Sequence, residues 1–290
     1  MSSKSKVNQI IEGNCVEVMK DFESDFIDLT VTSPPYDDLR NYKGFVFPFQ
    51  QIAQELYRIT KPGGVVVWIV NDATIQGSET GTSFTQALYF KEIGFNLHDT
   101  MIFRKRNPIP QIYRKRYNNE FEFMFVFSKG VVKTHNPIMV DCVHAGLELN
   151  GTTYKNFSKN IQTREKLAKP VKDKKIKGNI WEYVVGKKQE DQEAKGHPAP
   201  FPCELARDHI NSWTNKGDIV FDPMCGSGTT CRVAAESNRK YIGIDISHEY
   251  VEIAKKRIKN NEMQLRMILE EEKAAYKKNR LKKTRVKSKA

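Results

Sequence analysis

Residues 220–231 read VFDPMCGSGTTC. An apolar run ends at Asp222, a turn with two glycines follows, and Thr229 and Thr230 lead into a segment with helical spacing. Glycine tolerates positive φ and lets a ligand approach the backbone, while a helix N-terminus offers free N–H groups. The next apolar run, YIGIDIS, ends in Asp245, 23 residues after Asp222, where a doubly wound α/β sheet bonds the hydroxyls of a ribose. Two phosphate-binding fingerprints are excluded. GxGxxG needs a third glycine at Cys231, and a P-loop needs a lysine at Thr229. A carboxylate beside the turn repels pyrophosphate but suits the amino group of a cationic amino acid. Asp222 therefore favours S-adenosylmethionine over NAD.

The same alternation extends to both sides. Upstream, NQIIEG reads as a strand, CVEVMKDF as a helix, FIDLTVT as a buried strand and FQQIAQELYRIT as an amphipathic helix that stops at Lys-Pro-Gly-Gly. VVVWIV, the helical SFTQALYFKEIGF, LHDTMIF and FEFMFVF follow, the last two expected to form an antiparallel edge. Downstream come CELARDHINSWTN (helix), DIVFDP (strand), GTTCRVAAESN (helix), KYIGIDI (strand) and HEYVEIAKKRI (helix). Near-continuous apolar strands separated by helices predict an α/β fold, a doubly wound and mostly parallel sheet covered on both faces. Residues 131–195 are polar and weakly periodic, and predict an insertion. The expected organisation is 1–130 and 196–260 as two halves of one domain, 131–195 inserted, and 261–290 a basic C-terminal helix or tail.

One strand ends unusually. VTSPPYD spans Val31–Asp37. Two prolines cannot continue a ladder or enter a helix, and a simple reversal more often uses Gly, Asn or Asp. The turn supplies fixed carbonyls, a small hydroxyl at Ser33 and an aromatic ring at Tyr36.

Composition narrows the partners. The 290-residue chain carries a formal net charge of +12. Residues 271–290 hold nine Lys/Arg against two Glu, and 163–178 hold seven against two acids. Residues 103–117, FRKRNPIPQIYRKRY, hold six basic residues and no acid. Basic clusters interleaved with aromatics suit a polyanion with stackable bases. No apolar run approaches the roughly 18 residues of a membrane span, and no apolar signal segment opens the chain, so a soluble, cytoplasmic protein is expected. Five scattered cysteines without a CxxC pair argue against zinc and disulfides, and no His/Cys/carboxylate cluster predicts a metal.

TSPPY (32–36) followed by DPMCGSGTT (222–230) resembles the amino-group DNA methyltransferases, in the β arrangement where the catalytic motif precedes the cofactor motif. The resemblance spans about residues 8–130 and 195–258. It implies a Rossmann-like methyltransferase fold and S-adenosylmethionine held by Asp222, Pro223, Met224, Cys225, Gly226, Ser227, Gly228, Thr229, Thr230, Asp245 and Ile246. EGN (12–14) resembles the adenine-contacting segment, bringing in Asn14 and Cys15, although the family often has Gly-Asp where this chain has Gly13-Asn14. HPAPFP (197–202) resembles the segment lining the methionine end, bringing in Phe201; His197 reads as a loop residue. Ser33, Pro34, Pro35 and Tyr36 become the catalytic set. An exocyclic amine is a poor nucleophile, and the Ser33 hydroxyl and the Pro34 carbonyl would accept hydrogen bonds from it as it becomes tetrahedral, while Tyr36 stacks on a base flipped out of the duplex. The roles of Asp37, Asp38 and Arg40 stay open, and Asp72 is either a ligand contact or a cap.

Arg104, Lys105, Arg106, Arg114, Lys115 and Arg116 are expected to bind double-stranded DNA, and 131–195 falls where the family places its target recognition region. The resemblance also bears on the base: in the family, Ser at the position of Ser33 is commoner among enzymes that methylate cytosine N4 and Asp or Asn among those that methylate adenine N6, so cytosine N4 is slightly favoured. C5 methylation would need a cysteine nucleophile, commonly in a Pro-Cys turn, and Pro202-Cys203 is not at a catalytic strand end. Recognition sequence, a restriction-modification role and a homodimer are left open. A nucleotide-binding oxidoreductase would explain the glycines and Asp245 but not TSPPY. A non-catalytic DNA-binding module and an RNA substrate are further alternatives.

Overall fold

The computed structural model describes residues 6–35, 47–108, 110, 115–146, 152–155, 163–166, 172–186, 202–261, 263 and 270. They fall into two compact units, one comprising Met1–His135 with Asn179–Ala290 and the other Asn136–Gly178.

The larger unit begins with β1 (Gln9–Glu12), α1 (Cys15–Lys20), β2 (Ile27–Thr32), α2 (Phe49–Ile59) and β3 (Thr60–Val70). A small hairpin follows, β4 (Thr74–Ile75) and β5 (Ser78–Glu79), then α3 (Thr82–Glu92), β6 (Asn96–Lys105) and β7 (Phe121–Ser128). Among its described residues, the smaller unit contains two antiparallel pairs: β8 (Met139–Asp141) with β11 (Lys174–Ile176), and β9 (Thr152–Lys155) with β10 (Thr163–Lys166). The chain then returns with β12 (Ile180–Tyr183), α4 (Cys203–Trp213), β13 (Ile219–Asp222), α5 (Thr229–Glu236) and β14 (Lys240–Asp245). Residues 248–261 form a further helix.

One eight-stranded sheet, in the order β1-β14-β13-β2-β3-β7-β6-β12, organises the larger unit. β7 runs antiparallel to both β3 and β6, and every other neighbouring pair is parallel. Local sequence explains the central strands. Val65–Val70 of β3 are all buried, as a strand covered on both faces requires. The α2 stripe Ile52, Ala53, Leu56 and Ile59 buries one helical face against it. Alternate β7 residues face opposite ways: Phe125 and Phe127 join the core cluster of α1–α3, whereas Met124 meets His209 of α4 at 3.2 Å. Helices thus cover both faces.

Two expectations change. β6 and β7 do pair antiparallel, but they are not the edge, because β12 adds in parallel to β6. The compact inserted unit, Asn136–Gly178, is also narrower than 131–195, since Ile180–Tyr183 form a strand of the main sheet. Trp181 and Tyr183 bury their rings while Ile180 and Glu182 face outward, and Asn107 ties itself to both the N–H and the carbonyl of Val185. A four-residue alternation between polar stretches is too short to stand out in sequence.

Candidate active site

β2 and β13 are parallel neighbours, with Phe221 opposite Thr30, so their carboxyl ends lie at one edge of the sheet. β2 ends at Thr32 and β13 at Asp222, and the Thr32 hydroxyl donates to Asp222 Oδ1 at 2.8 Å. A second tie runs the other way, from Thr230 Oγ1 to the Val31 carbonyl at 3.1 Å. The turn Ser33-Pro34-Pro35 leaves one residue beyond Thr32, and the glycine turn leaves one residue beyond Asp222. Two motifs separated by 190 residues are thereby brought together. Pro34 is buried, and Ser33 and Pro35 are half-buried. Tyr36, Asp37, Asp38 and Arg40 lie outside the described residues, as do His197, Phe201 and Arg114.

Asp222 is buried. Desolvation pushes its carboxyl up to about 6, against the hydrogen bonds from Thr32 and from the Met224 N–H at 3.2 Å. Pro223 is buried beside it and Met224 leans on the core. The glycine turn is held from several sides. The Gly228 N–H closes onto the Cys225 carbonyl at 2.8 Å, and the Cys225 N–H bonds the Ile244 carbonyl at 2.8 Å. Gly228 has φ +78, and a Cβ there would lie 2.7 Å from Ala254 Cβ. The glycine is thus demanded by the helix at 248–261 as well as by the turn. The Cys225 thiol faces inward beside Cys231, whose hydrogen bond, with burial, pushes its pKa up.

Asp245 closes the neighbouring strand. Its Oδ2 accepts from the Gly226 N–H at 2.8 Å and its Oδ1 from the Ser247 N–H at 2.9 Å, while burial raises its pKa. Its backbone carbonyl accepts from the Gly13 N–H at 2.9 Å, which draws the Glu12–Asn14 segment to the same edge. Asn14 caps α1 through its side chain, accepting from the Val16 N–H at 2.9 Å, and burial pushes the Cys15 thiol up to about 11. Ile246, just past Asp245, exposes an apolar side chain.

This donor set fits S-adenosylmethionine. Two carboxylates and a glycine turn flank an exposed aliphatic side chain, and residues 222–230 contain no Lys or Arg to meet a pyrophosphate. The guanidinium near the turn is already engaged: Arg257 is buried and donates to the Ser227 carbonyl, to Ser227 Oγ at 2.8 Å and to Thr229 Oγ1 at 3.4 Å. Neither Arg257 nor Thr32 was expected at the site. In the stretch IAKKRI an arginine reads as a surface cation, and only its facing of Ser227 gives it away.

Asp72 makes capping contacts. It accepts from the Ser83 N–H at 2.8 Å and from Ser83 Oγ at 2.6 Å, holding the first turn of α3. Several members of the basic cluster are paired with acids. Arg104 lies 3.0 Å from Glu182, Lys105 2.8 Å from Glu122, Arg106 3.6 Å from Glu182, and Arg116 3.3 Å from Glu79. Lys115 and Tyr117 are exposed. Among the described residues, no three His, Cys, Asp or Glu side chains are grouped to hold a metal, and no helix is long and apolar enough to cross a membrane.

Residues 27–256 match the profile of a DNA methylase family, the N6/N4 methyltransferases. The chain is 52% identical over 240 residues to the orphan methyltransferase M.BamHII of Bacillus amyloliquefaciens, covering 81% of this chain and 89% of that protein. Its fold is similar to that of PvuII DNA methyltransferase, described as cytosine-N4-specific, with a TM-score of 0.65 at 22% identity over 86% of this chain and 85% of that one. It is also similar to M1.HpyAVI, solved as an S-adenosylmethionine complex, with a TM-score of 0.57 at 24% identity over 86% and 98% of the two chains. The chain belongs to the DNA methylase family, the N6/N4 amino-methyltransferases that use S-adenosylmethionine.

Proposed function

We propose that this enzyme methylates the exocyclic N4 amine of cytosine in double-stranded DNA, with the base extruded from the helix. The observation that carries the reading is the Thr32–Asp222 hydrogen bond, which anchors the start of the Ser33 turn to the foot of the cofactor turn. When bound, S-adenosylmethionine supplies a methyl group made electrophilic by its sulfonium. Asp222, Asp245, Ile246, the glycine turn and the Asn14 segment would hold it. Ser33 Oγ and the Pro34 carbonyl accept hydrogen bonds from the target amine, and the diproline keeps that carbonyl aimed. Positive charge develops on the amine, so acceptors suffice and no strong base is needed. Tyr36 would stack on the extruded base.

Ser33 at the head of the motif supports cytosine over adenine, because a hydroxyl offers one acceptor where the adenine enzymes resembled more often carry Asp or Asn. The unit Asn136–Gly178, with residues on either side, is the candidate target recognition region. A cytoplasmic location and a homodimer belong to the same reading, and sedimentation at graded concentrations reads the latter.

The test is expression in a methylation-free host, followed by sequencing of the host genome for modified bases. N4-methylcytosine in one sequence context, lost with Ser33→Ala, is the expected result. N6-methyladenine instead would overturn the choice of base.

A further inference from the structure

Beyond the end of β3, on the same carboxyl edge as Ser33, β4 and β5 form a hairpin. Ile75 pairs with Ser78, which leaves Gln76 and Gly77 as a two-residue turn with φ +48 and +83. Such a turn ordinarily opens with Asn, Asp or Gly, yet here a long amide side chain occupies the left-handed position. Ile75 beside it is 59% exposed, among Thr74, Gln76, Ser78 and Glu79.

This projection is anchored at foot and tip. The Thr80 N–H bonds the Ala73 carbonyl at 3.0 Å, and Asp72 is fixed to the first turn of α3. Arg116 Nη2 donates to the Gly77 carbonyl, and its Nη1 lies 3.3 Å from Glu79. Asn71 donates to Asn119 Oδ1 at 3.2 Å and to the Phe121 carbonyl at 3.3 Å. Residues left in sparsely populated backbone conformations persist where their surroundings over-determine them, and they cluster at functional positions.

We infer that the hairpin tip probes duplex DNA, with Ile75 filling the gap left in the base stack by the extruded target and Gln76 hydrogen-bonding the orphaned partner base. This rests on the base-extrusion reading above. Apolar side chains wedge between unstacked base steps, and amides pair with base edges. The surroundings suit a nucleic acid. Arg116 neutralises Glu79, so the hairpin presents no uncompensated negative charge to phosphates, and Lys115 and Tyr117 next to it are exposed. Arg116, expected to contact DNA directly, is on this account a positioning residue that braces the tip.

The experiment uses two duplexes carrying the sequence found modified in the host genome, with the target base facing either its partner or an abasic site. An unpaired target has no partner to satisfy and a weakened stack to replace. Single-turnover methyl transfer by full-length Ile75→Ala is expected to be roughly tenfold slower on the paired duplex and about equal to the parent on the abasic one. Gln76→Gly, which relieves the turn, is expected to follow the same pattern. Equal slowing on both duplexes, or slowing on neither, overturns the probe. A fluorescent base analogue at the target position reads extrusion separately. Brightening with the parent protein but unchanged variant rates overturns the probe alone, whereas no brightening with the parent overturns the extrusion reading and the probe with it.

Discussion

Thr32 and Asp222, the terminal residues of two adjacent parallel strands, share a 2.8 Å hydrogen bond inside the protein, and each leads directly into one of the two functional turns. Removing the hydroxyl with the near-isosteric Thr32→Val leaves a buried carboxylate short of a donor. Unfolding free energy should fall by about 1–3 kcal/mol at pH 8. S-adenosylmethionine binding should weaken too, since the foot of the turn loses an anchor. Urea unfolding and calorimetric titration check both; a variant matching the parent in each would show the bond to be incidental.

Asp222 itself makes stability depend on pH. Burial raises its pKa from 3.8 to about 6, so the folded chain holds this proton more tightly than the unfolded chain does. The stabilisation from the neutral form is fully present below pH 3.8 and is lost as pH rises towards and past 6. Ionisation there costs about 3 kcal/mol. Asp222→Asn keeps an acceptor for Thr32 but cannot ionise, so its stability relative to the parent should improve between pH 4 and pH 8. A constant difference across that window would contradict the assignment. If the ionised form holds the cationic methionine end, affinity in the parent should also rise as pH passes 6, and Asp222→Asn should be flat.

Arg257 stands behind the glycine turn and bonds Ser227 and Thr229. Arg257→Met keeps most of the volume but leaves those acceptors buried without a donor. A loss of about 2–4 kcal/mol in stability is expected, together with at least a roughly tenfold weaker affinity for S-adenosylmethionine, equivalent to about 1.4 kcal/mol. Arg257→Lys should restore part of the stability. Full cofactor affinity in the Met variant would mean that the turn is rigid without its prop.

How far these features can be seen in the residues depends on how local their cause is. The β3 run of valines and the α2 stripe announce themselves, because burial on two faces or on one stripe forces a composition. Asp222 and Asp245 stand out because each ends an apolar run beside a turn. β12 is silent, since its place is set by the free edge of β6 and by two long-range hydrogen bonds, Asn107 to the Val185 carbonyl and Asn179 to the Thr100 carbonyl, which span 78 and 79 residues. Gly228 invites a ligand-contact explanation, yet its missing Cβ is also required by Ala254. Cations are the least legible from sequence. Arg257 looks like surface and is buried, whereas Arg104 and Arg106 look like a DNA patch and share Glu182.

Those pairings give a graded expectation for DNA binding. Each phosphate neutralised by a protein cation lowers the slope of log K against log salt by about 0.9. A lysine already 2.8 Å from a carboxylate, as Lys105 is from Glu122, brings little net charge, and removing it exposes the acid. Lys115 is exposed and, among the described residues, joins no ion pair. Lys115→Ala should therefore flatten the salt slope by close to one phosphate contact, measured by anisotropy of a labelled duplex between about 50 and 200 mM salt. Arg104→Ala, with Glu182 at 3.0 Å and Glu120 at 3.9 Å, should change it by well under half as much. Equal changes would mean that these acids release their partners when DNA arrives, and the static pairing would then say nothing about which cations bind.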